Sequence, residues 1–316
     1  SSTSSSSSSS SPIRAVNGLS LEVRRGELVG FLGPNGAGKT TTMAMISTEL
    51  ERTRGEIHVG GHDVSRPEER NVLRSSAVLG FCPQFDSLYE SLTVLEHFAL
   101  WGVVQGETEE DAKALGRMLS RSVGLGIYVD VLSSKLSGGN KRKLSIALAL
   151  LGSPDVLLLD EPSTGVDVAS RRIVWNLLRS FRENAAVLLS THSMEEAVAI
   201  SDRIAIVVKG RVAADGTVAE LQRKYGEGYV LEVVAETGAE SVVENFIVRD
   251  DGGLRGELKE KFDGRMKFTL NPKLIRLADA FEIMESAKGV KFFSISHATM
   301  EDVFMNLLLR RSAVNC

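Results

Sequence analysis

The chain has 316 residues, 43% of them hydrophobic and 25% charged, and a net charge of −4. That composition suits a globular protein of one large or two ordinary domains, and the slight acidity argues against a nucleic-acid-binding surface. Two cysteines, Cys82 and Cys316, exclude a disulfide framework and fit a reducing compartment, and neither a long apolar span nor a secretory signal is visible, so the chain reads as soluble.

Residues 1–11 are serine apart from Thr3, a tract that buries no apolar surface and is expected to be disordered. Folded sequence begins abruptly near Pro12, as at an incomplete or artificially joined N-terminus. Residues 13–23 alternate in the manner of a strand, and Arg24-Arg-Gly26 turns into a second, apolar one, Leu28-Val-Gly-Phe-Leu32. Gly33-Pro-Asn-Gly-Ala-Gly-Lys-Thr40 follows and fits the phosphate-binding loop G-x-x-x-x-G-K-[ST]. Its setting is the one the motif requires, a strand before it and a helix continuing from Thr41 after it. Gly33, Gly36 and Gly38, with Pro34, Asn35 and Ala37 between them, let successive N–H groups curl inward around a phosphate. The helix aims its positive end at the same point. Lys39 would reach the β- and γ-phosphates, and the Thr40 hydroxyl would be a ligand of Mg²⁺.

Residues 55–61 read as a short strand and turn, 66–70 as a charged segment, and 77–81 as a strand ending in Cys82-Pro83-Gln84. Thr93-Val-Leu-Glu96 has the form of a capping box opening a helix to about Val104, and a charged helix is expected over about 107–123. Ser137 is placed to cap an apolar-periodic helix over 141–151, and Gly138-Gly139 leave room for a ligand to approach the backbone. Val156-Leu-Leu-Leu-Asp-Glu161 is a buried parallel strand in pattern, delivering Asp160 and Glu161 to a carboxyl end, where ligands of such sheets bind. Asp160 would lie near Mg²⁺, and Glu161 would polarise an attacking water. Residues 185–192 repeat the design and deliver His192. Beyond it, 203–213 reads as a hairpin turning at Lys209-Gly210, and 218–225 as a helix closing this domain. The remainder reads as strand 229–234, helix 240–248, strands 256–262 and 266–270, helix 274–287, strand 291–296 and helix 300–309, the order of a small ferredoxin-like α+β domain.

Taken together, residues 33–40, Gln84, Leu136-Ser-Gly-Gly-Asn140, residues 157–161, Ser163-Thr-Gly-Val-Asp167 and His192 resemble, in order, the motifs of an ABC-type ATPase. Residues 136–140 distinguish that family from other phosphate-loop proteins. Residues 137–145, 191–196 and 299–304 are similar in wording to the A subfamily of ABC transporters. The resemblance runs from about residue 12 to 310 and weakens beyond about 228. It implies an α/β fold with a mixed sheet core over 12–227, an inserted helical subdomain at about 85–150, and a small regulatory domain over 228–312.

The resemblance also implies roles. Residues 33–41, Thr41 included, would hold ATP; Thr40, Gln84 and Asp160 would contact Mg²⁺. Glu161 would be the base, His192 would hold the γ-phosphate, and Gln84 would relay its state to a membrane domain. Ser137, Gly138 and Gly139 would close over ATP held by a second nucleotide-binding domain in a head-to-tail dimer, with Asp167 at that interface. The expected partners are that second domain and transmembrane domains not in this chain, with no nucleic acid. The module would sit on the cytosolic face of a membrane and power transport, with lipid the implied cargo. The alternatives are a soluble ABC-type ATPase of ribosome-associated or chromosome and repair type, and a non-catalytic relic. Two departures stand out: Asn140 replaces a common glutamine, and the adenine-stacking aromatic and first strand of the family are missing, the aromatic's place falling around Ser8–Ser10. Weaker ATP binding is the expected consequence.

Overall fold

The structure, a computed structural model, describes residues 14–75, 77–226, 228–249 and 254–313. The described residues divide into two compact units, parted between Asp215 and Gly216. In the first, the elements run β1 (Leu28–Leu32), α1 (Lys39–Ile46), β2 (His58–Val59), β3 (His62–Asp63), α2 (Pro67–Ser75), β4 (Leu79–Cys82), α3 (Val94–Val104), α4 (Glu109–Ser122), α5 (Gly138–Ala149), β5 (Val156–Asp160), α6 (Val168–Phe181), β6 (Ala186–Thr191), α7 (Met194–Ile200), β7 (Arg203–Val208) and β8 (Arg211–Gly216).

Six strands form one sheet in the order β4-β5-β6-β1-β7-β8. Neighbours from β4 to β7 pair in parallel, and β8 returns beside β7 after the turn at Lys209-Gly210. The sheet is covered on both faces, which is why its strands read as unbroken aliphatic runs. Leu28, Leu157, Leu159, Val187 and Leu189 belong to one core with residues of α3, α5 and α6. Val29, Phe31, Leu158, Leu188, Ala205 and Val207 belong to another with Met43 of α1. Helix α3 opens with the expected capping box between Thr93 and Glu96, and α4 and α5 follow it before β5.

One expected element is absent. The described part of residues 13–23 is irregular rather than a strand. β1 is flanked by β6 and β7, so a segment arriving at Leu28 finds no free edge beside it. Its alternation serves packing instead: Leu19, Leu21 and Val23 lie against the Val29–Phe31 core. Its backbone bonds go elsewhere, Asn17 N to Gly210 O at 2.8 Å and Arg211 Nε to Asn17 O at 2.9 Å. The charged segment at 66–70 opens a helix, α2, with Glu68 and Glu69 in its first turn. The serine tract and the Ser8–Ser10 place of the missing aromatic lie outside the described residues.

The second unit begins with α8 (Val218–Tyr225) and continues β9 (Tyr229–Ala235), α9 (Glu240–Val248), β10 (Glu257–Phe262), β11 (Arg265–Leu270), α10 (Leu277–Glu285), β12 (Val290–His297) and α11 (Met300–Ala313). Its sheet order β10-β11-β9-β12, antiparallel throughout, is that of the expected ferredoxin-like fold. Leu231, Val233, Met266, Phe268, Val243, Ile247, Ala280 and Met284 form its core. Helix α8 groups with this unit rather than closing the first, and Asn306 Nδ2 of α11 reaches Tyr225 O at 3.5 Å. The division therefore falls ahead of the 227/228 boundary expected from the sequence.

Candidate functional site: a phosphate loop at the carboxyl edge of the sheet

The loop between β1 and α1 is tight enough to dictate glycine. A Cβ on Gly33 would lie 2.5 Å from Val207 O, and one on Gly38 2.4 Å from Ala15 O, with Gly38 at φ +98°. Gly38 is also the N-cap of α1 and supplies no side-chain bond to the helix's first N–H groups; no acidic residue occupies that first turn either. Those donors are left for an anion. Lys39 is buried, and its Nζ donates to Gly33 O at 2.8 Å and Pro34 O at 3.3 Å. Burial pulls its pKa below the ordinary lysine value, while Glu161 and Asp160 pull it back up. Thr40 is exposed and Thr41 half-buried at the first turn, whereas the Thr42 hydroxyl is used on Gly38 O at 2.8 Å. The uncapped start of α1, the Lys39 ammonium and the exposed Thr40 form a donor set that fits a polyphosphate.

The register of the strands brings the remaining groups to the same edge. Leu32 is level with Thr191, and Asp160 with Ser190. Asp160 is 1% exposed, and its Oδ1 accepts from the Ser190 hydroxyl. Glu161 follows in the left-handed region at φ +54°, unusual for a residue with a side chain. Its N–H is held by Ser190 O at 3.1 Å and Ser190 Oγ at 3.2 Å. The carboxylate then points its Oε2 at His192 Nδ1, 2.5 Å away, and its Oε1 toward Lys39 Nζ, 3.8 Å away. Gln84 leaves β4 beside β5 and is exposed. Ser137 caps α5, accepting from Asn140 N at 3.3 Å, and Ser137 and Gly138 face solvent. A Cβ on Gly139 would stand 3.2 Å from Gly165 O, so this turn rests against residues 163–167. Asp167 caps α6 through Ser170 N at 2.9 Å, a bond that holds its carboxyl below the usual range.

The sequence profile of the ABC transporter family matches residues 16–164. A solved ATP-binding subunit of an ABC transporter superposes with TM-score 0.60 at 31% identity, over 67% of this chain and 87% of that one. The chain belongs to the ABC transporter family.

Among curated relatives, ATP-binding cassette sub-family A member 2 of Homo sapiens is 37% identical over 304 residues, 95% of this chain and 12% of that protein. The retinal-specific phospholipid-transporting ATPase ABCA4 of Homo sapiens is 37% identical over 92% of this chain and 13% of its own length. ABC transporter A family member 7 of Arabidopsis thaliana is 38% identical over 96% of this chain and 32% of its own. The chain thus spans a third or less of these relatives. A dimeric ATP-binding cassette in a post-hydrolysis state, bound to ADP and Pi, superposes with TM-score 0.60 at 25% identity, over 64% of this chain and 90% of that one.

Two features of this cassette escape motif reading. Arg142, 3% exposed on α5, donates to Pro83 O (2.5 Å), Asp86 Oδ1 (3.1 Å), Asp160 O (2.5 Å), Glu161 O (3.1 Å) and Pro162 O (3.2 Å). In the sequence it is the middle of three basic residues, Lys141-Arg-Lys143, and nothing there sets it apart from its neighbours. The second is a buried cluster: Ser163 donates its hydroxyl to Glu196 Oε1, and Trp175 Nε1 reaches the same oxygen at 3.1 Å. It links the 163–167 turn to α7, two turns of chain that sequence spacing does not connect.

Proposed function

We propose that this chain is the ATP-hydrolysing module of a transporter, coupled to transmembrane domains on the cytosolic face of a membrane, with lipid as the class of cargo. The observation that carries the reading is the meeting of Lys39, Asp160, Glu161 and His192 at one sheet edge. Relatives named as phospholipid-transporting ATPases support the cargo class. Among the described residues no helix is long and apolar enough to cross a membrane.

The chemistry follows from the groups present. The ammonium of Lys39 exchanges the carbonyls of Gly33 and Pro34 for phosphate oxygens of ATP, while the loop and α1 N–H groups hold the rest. Thr40, Asp160 and Gln84 are the residues that would hold Mg²⁺, which when bound neutralises charge on the β- and γ-phosphates. Glu161 takes a proton from water as its oxygen attacks the γ-phosphorus in line; the bond to the β-phosphate oxygen breaks, and ADP and phosphate result. His192 steers Glu161 and donates toward the γ-phosphate. Exposed Ser137 and Gly138 would close over the nucleotide of a second domain, head to tail, so turnover would require the dimer. The test is Glu161→Gln in the full protein. ATP should still drive dimerisation while phosphate release stops; sustained turnover in that variant would overturn the assignment.

A further inference from the structure

The guanidinium of Arg142 has five N–H donors, and all five are used. Nε serves Pro162 O, Nη1 serves Pro83 O and Asp86 Oδ1, and Nη2 serves Asp160 O and Glu161 O. The acceptors come from two separated segments. One brackets Gln84; the other is the backbone from Asp160 to Pro162, which includes the left-handed residue Glu161. Arg142 itself stands three positions beyond Gly139 on the helix that Ser137 caps.

Burying a guanidinium is costly unless every donor is matched, so a site that matches all five is built around this side chain. Four of the five acceptors are main-chain carbonyls, so the contacts fix backbone position rather than neutralise charge. A lysine could not replace it: an ammonium has three donors and no planar fork.

We propose that Arg142 is a positioning residue for hydrolysis. It locks the Gln84 segment and the backbone of Glu161 to the helix that begins at Ser137, so that closure of that turn on a partner domain's nucleotide is carried to this domain's own base. The inference rests on the ATPase reading above. It adds a residue whose donors are all taken by protein acceptors and which acts through the alignment of Glu161.

The experiment compares the full protein with R142K, D86A and the double variant, measuring equilibrium ATP binding, kcat and KM, thermal unfolding, and amide hydrogen exchange at residues 84–86 and 160–161. R142K should bind ATP within a few-fold of wild type while kcat falls about 10- to 100-fold, the penalty of a small misplacement of a catalytic group. D86A, which removes one of the five bonds, should lower kcat less, with KM unchanged. The double variant should be no worse than R142K alone, since both act through one guanidinium. Exchange in both segments should rise in R142K without nucleotide. A folded R142K with wild-type kcat, or a change confined to KM, overturns the proposal. If R142K does not fold, D86A decides by the same split of kcat from KM. If the wild type shows no turnover, the ATPase reading falls, and unchanged exchange in the two segments would overturn the role of Arg142 separately.

Discussion

His192 Nδ1 lies 2.5 Å from Glu161 Oε2, while the other oxygen of that carboxylate faces the Lys39 ammonium at 3.8 Å. The carboxylate is 8% exposed and the imidazole 60% exposed. The Glu161 carboxylate, the base we propose, is thus buried and oriented by its neighbours, and His192 is the exposed member of the pair. His192→Ala should lower kcat on the order of 10²-fold, the scale on which the loss of one preorganised hydrogen-bond donor acts. ATP binding should change far less, because Lys39 and the loop amides remain. Phosphate release set against equilibrium nucleotide binding checks this, and a loss seen only in binding would contradict it.

The phosphate loop separates two reasons for glycine. At Gly36, φ is +77° and nothing stands within 4 Å of an added Cβ; at Gly38, φ is +98° and Ala15 O would be 2.4 Å away. Gly36→Ala should cost about 1–2 kcal/mol, the backbone penalty alone. Gly38→Ala adds a collision with backbone, so it should cost more and weaken ATP binding by at least about tenfold through displacement of the loop from the start of α1. Chemical denaturation and nucleotide titration of the two variants would distinguish these effects.

Cys82 ends β4 fully buried, and burial pushes its thiol up to about 12. The thiolate is the reactive form. At pH 8 the folded protein should therefore alkylate Cys82 only on opening or unfolding, whereas in denaturant, with an ordinary thiol pKa, modification should be rapid. Mass mapping of alkylated peptides with and without denaturant reads the difference. Rapid labelling of Cys82 in the folded protein would refute it.

His97, buried on α3, has Nδ1 2.7 Å from Thr93 O and accepts at Nε2 from Tyr89 N at 3.0 Å. Burial lowers its pKa from the ordinary 6.5. A histidine kept neutral by the fold contributes stability that is complete above pH 6.5 and is lost as pH falls through its lowered folded value. Between pH 7.5 and 5.5 the melting temperature of the wild type should therefore fall more than that of His97→Gln. Parallel slopes in the two proteins would remove His97 as the cause.

Much of the fold was legible because periodicity and capping agreed locally. The capping box at Thr93 and Glu96 fixed the start of α3, and Ser137 capped α5 as its position suggested, with the helix beginning at Gly138 ahead of the expected Lys141. The phosphate loop, Glu161 and His192 were legible because they lie at strand ends, and a parallel sheet gathers its strand ends. Residues 14–23 were misread for a physical reason: alternation reports which side chains pack, and whether a sheet edge is free depends on the order of distant strands. Arg142, Ser190 and Glu196 were missed because their partners are far apart in the sequence and, for Arg142, mostly main-chain carbonyls. The 216 division was hidden for the same reason, since α8 looks alike whichever unit it packs on.

The cluster of Ser163, Trp175 and Glu196 has an optical consequence. The chain contains two tryptophans, Trp101 on α3 at 37% exposure and Trp175 on α6 at 8%. The indole N–H of Trp175 is bonded to Glu196 and Ser163, at the turn that would meet a second domain. With Trp101 replaced by phenylalanine, the emission of Trp175 becomes a single intrinsic reporter of that turn, recording its rearrangement in real time without an attached dye.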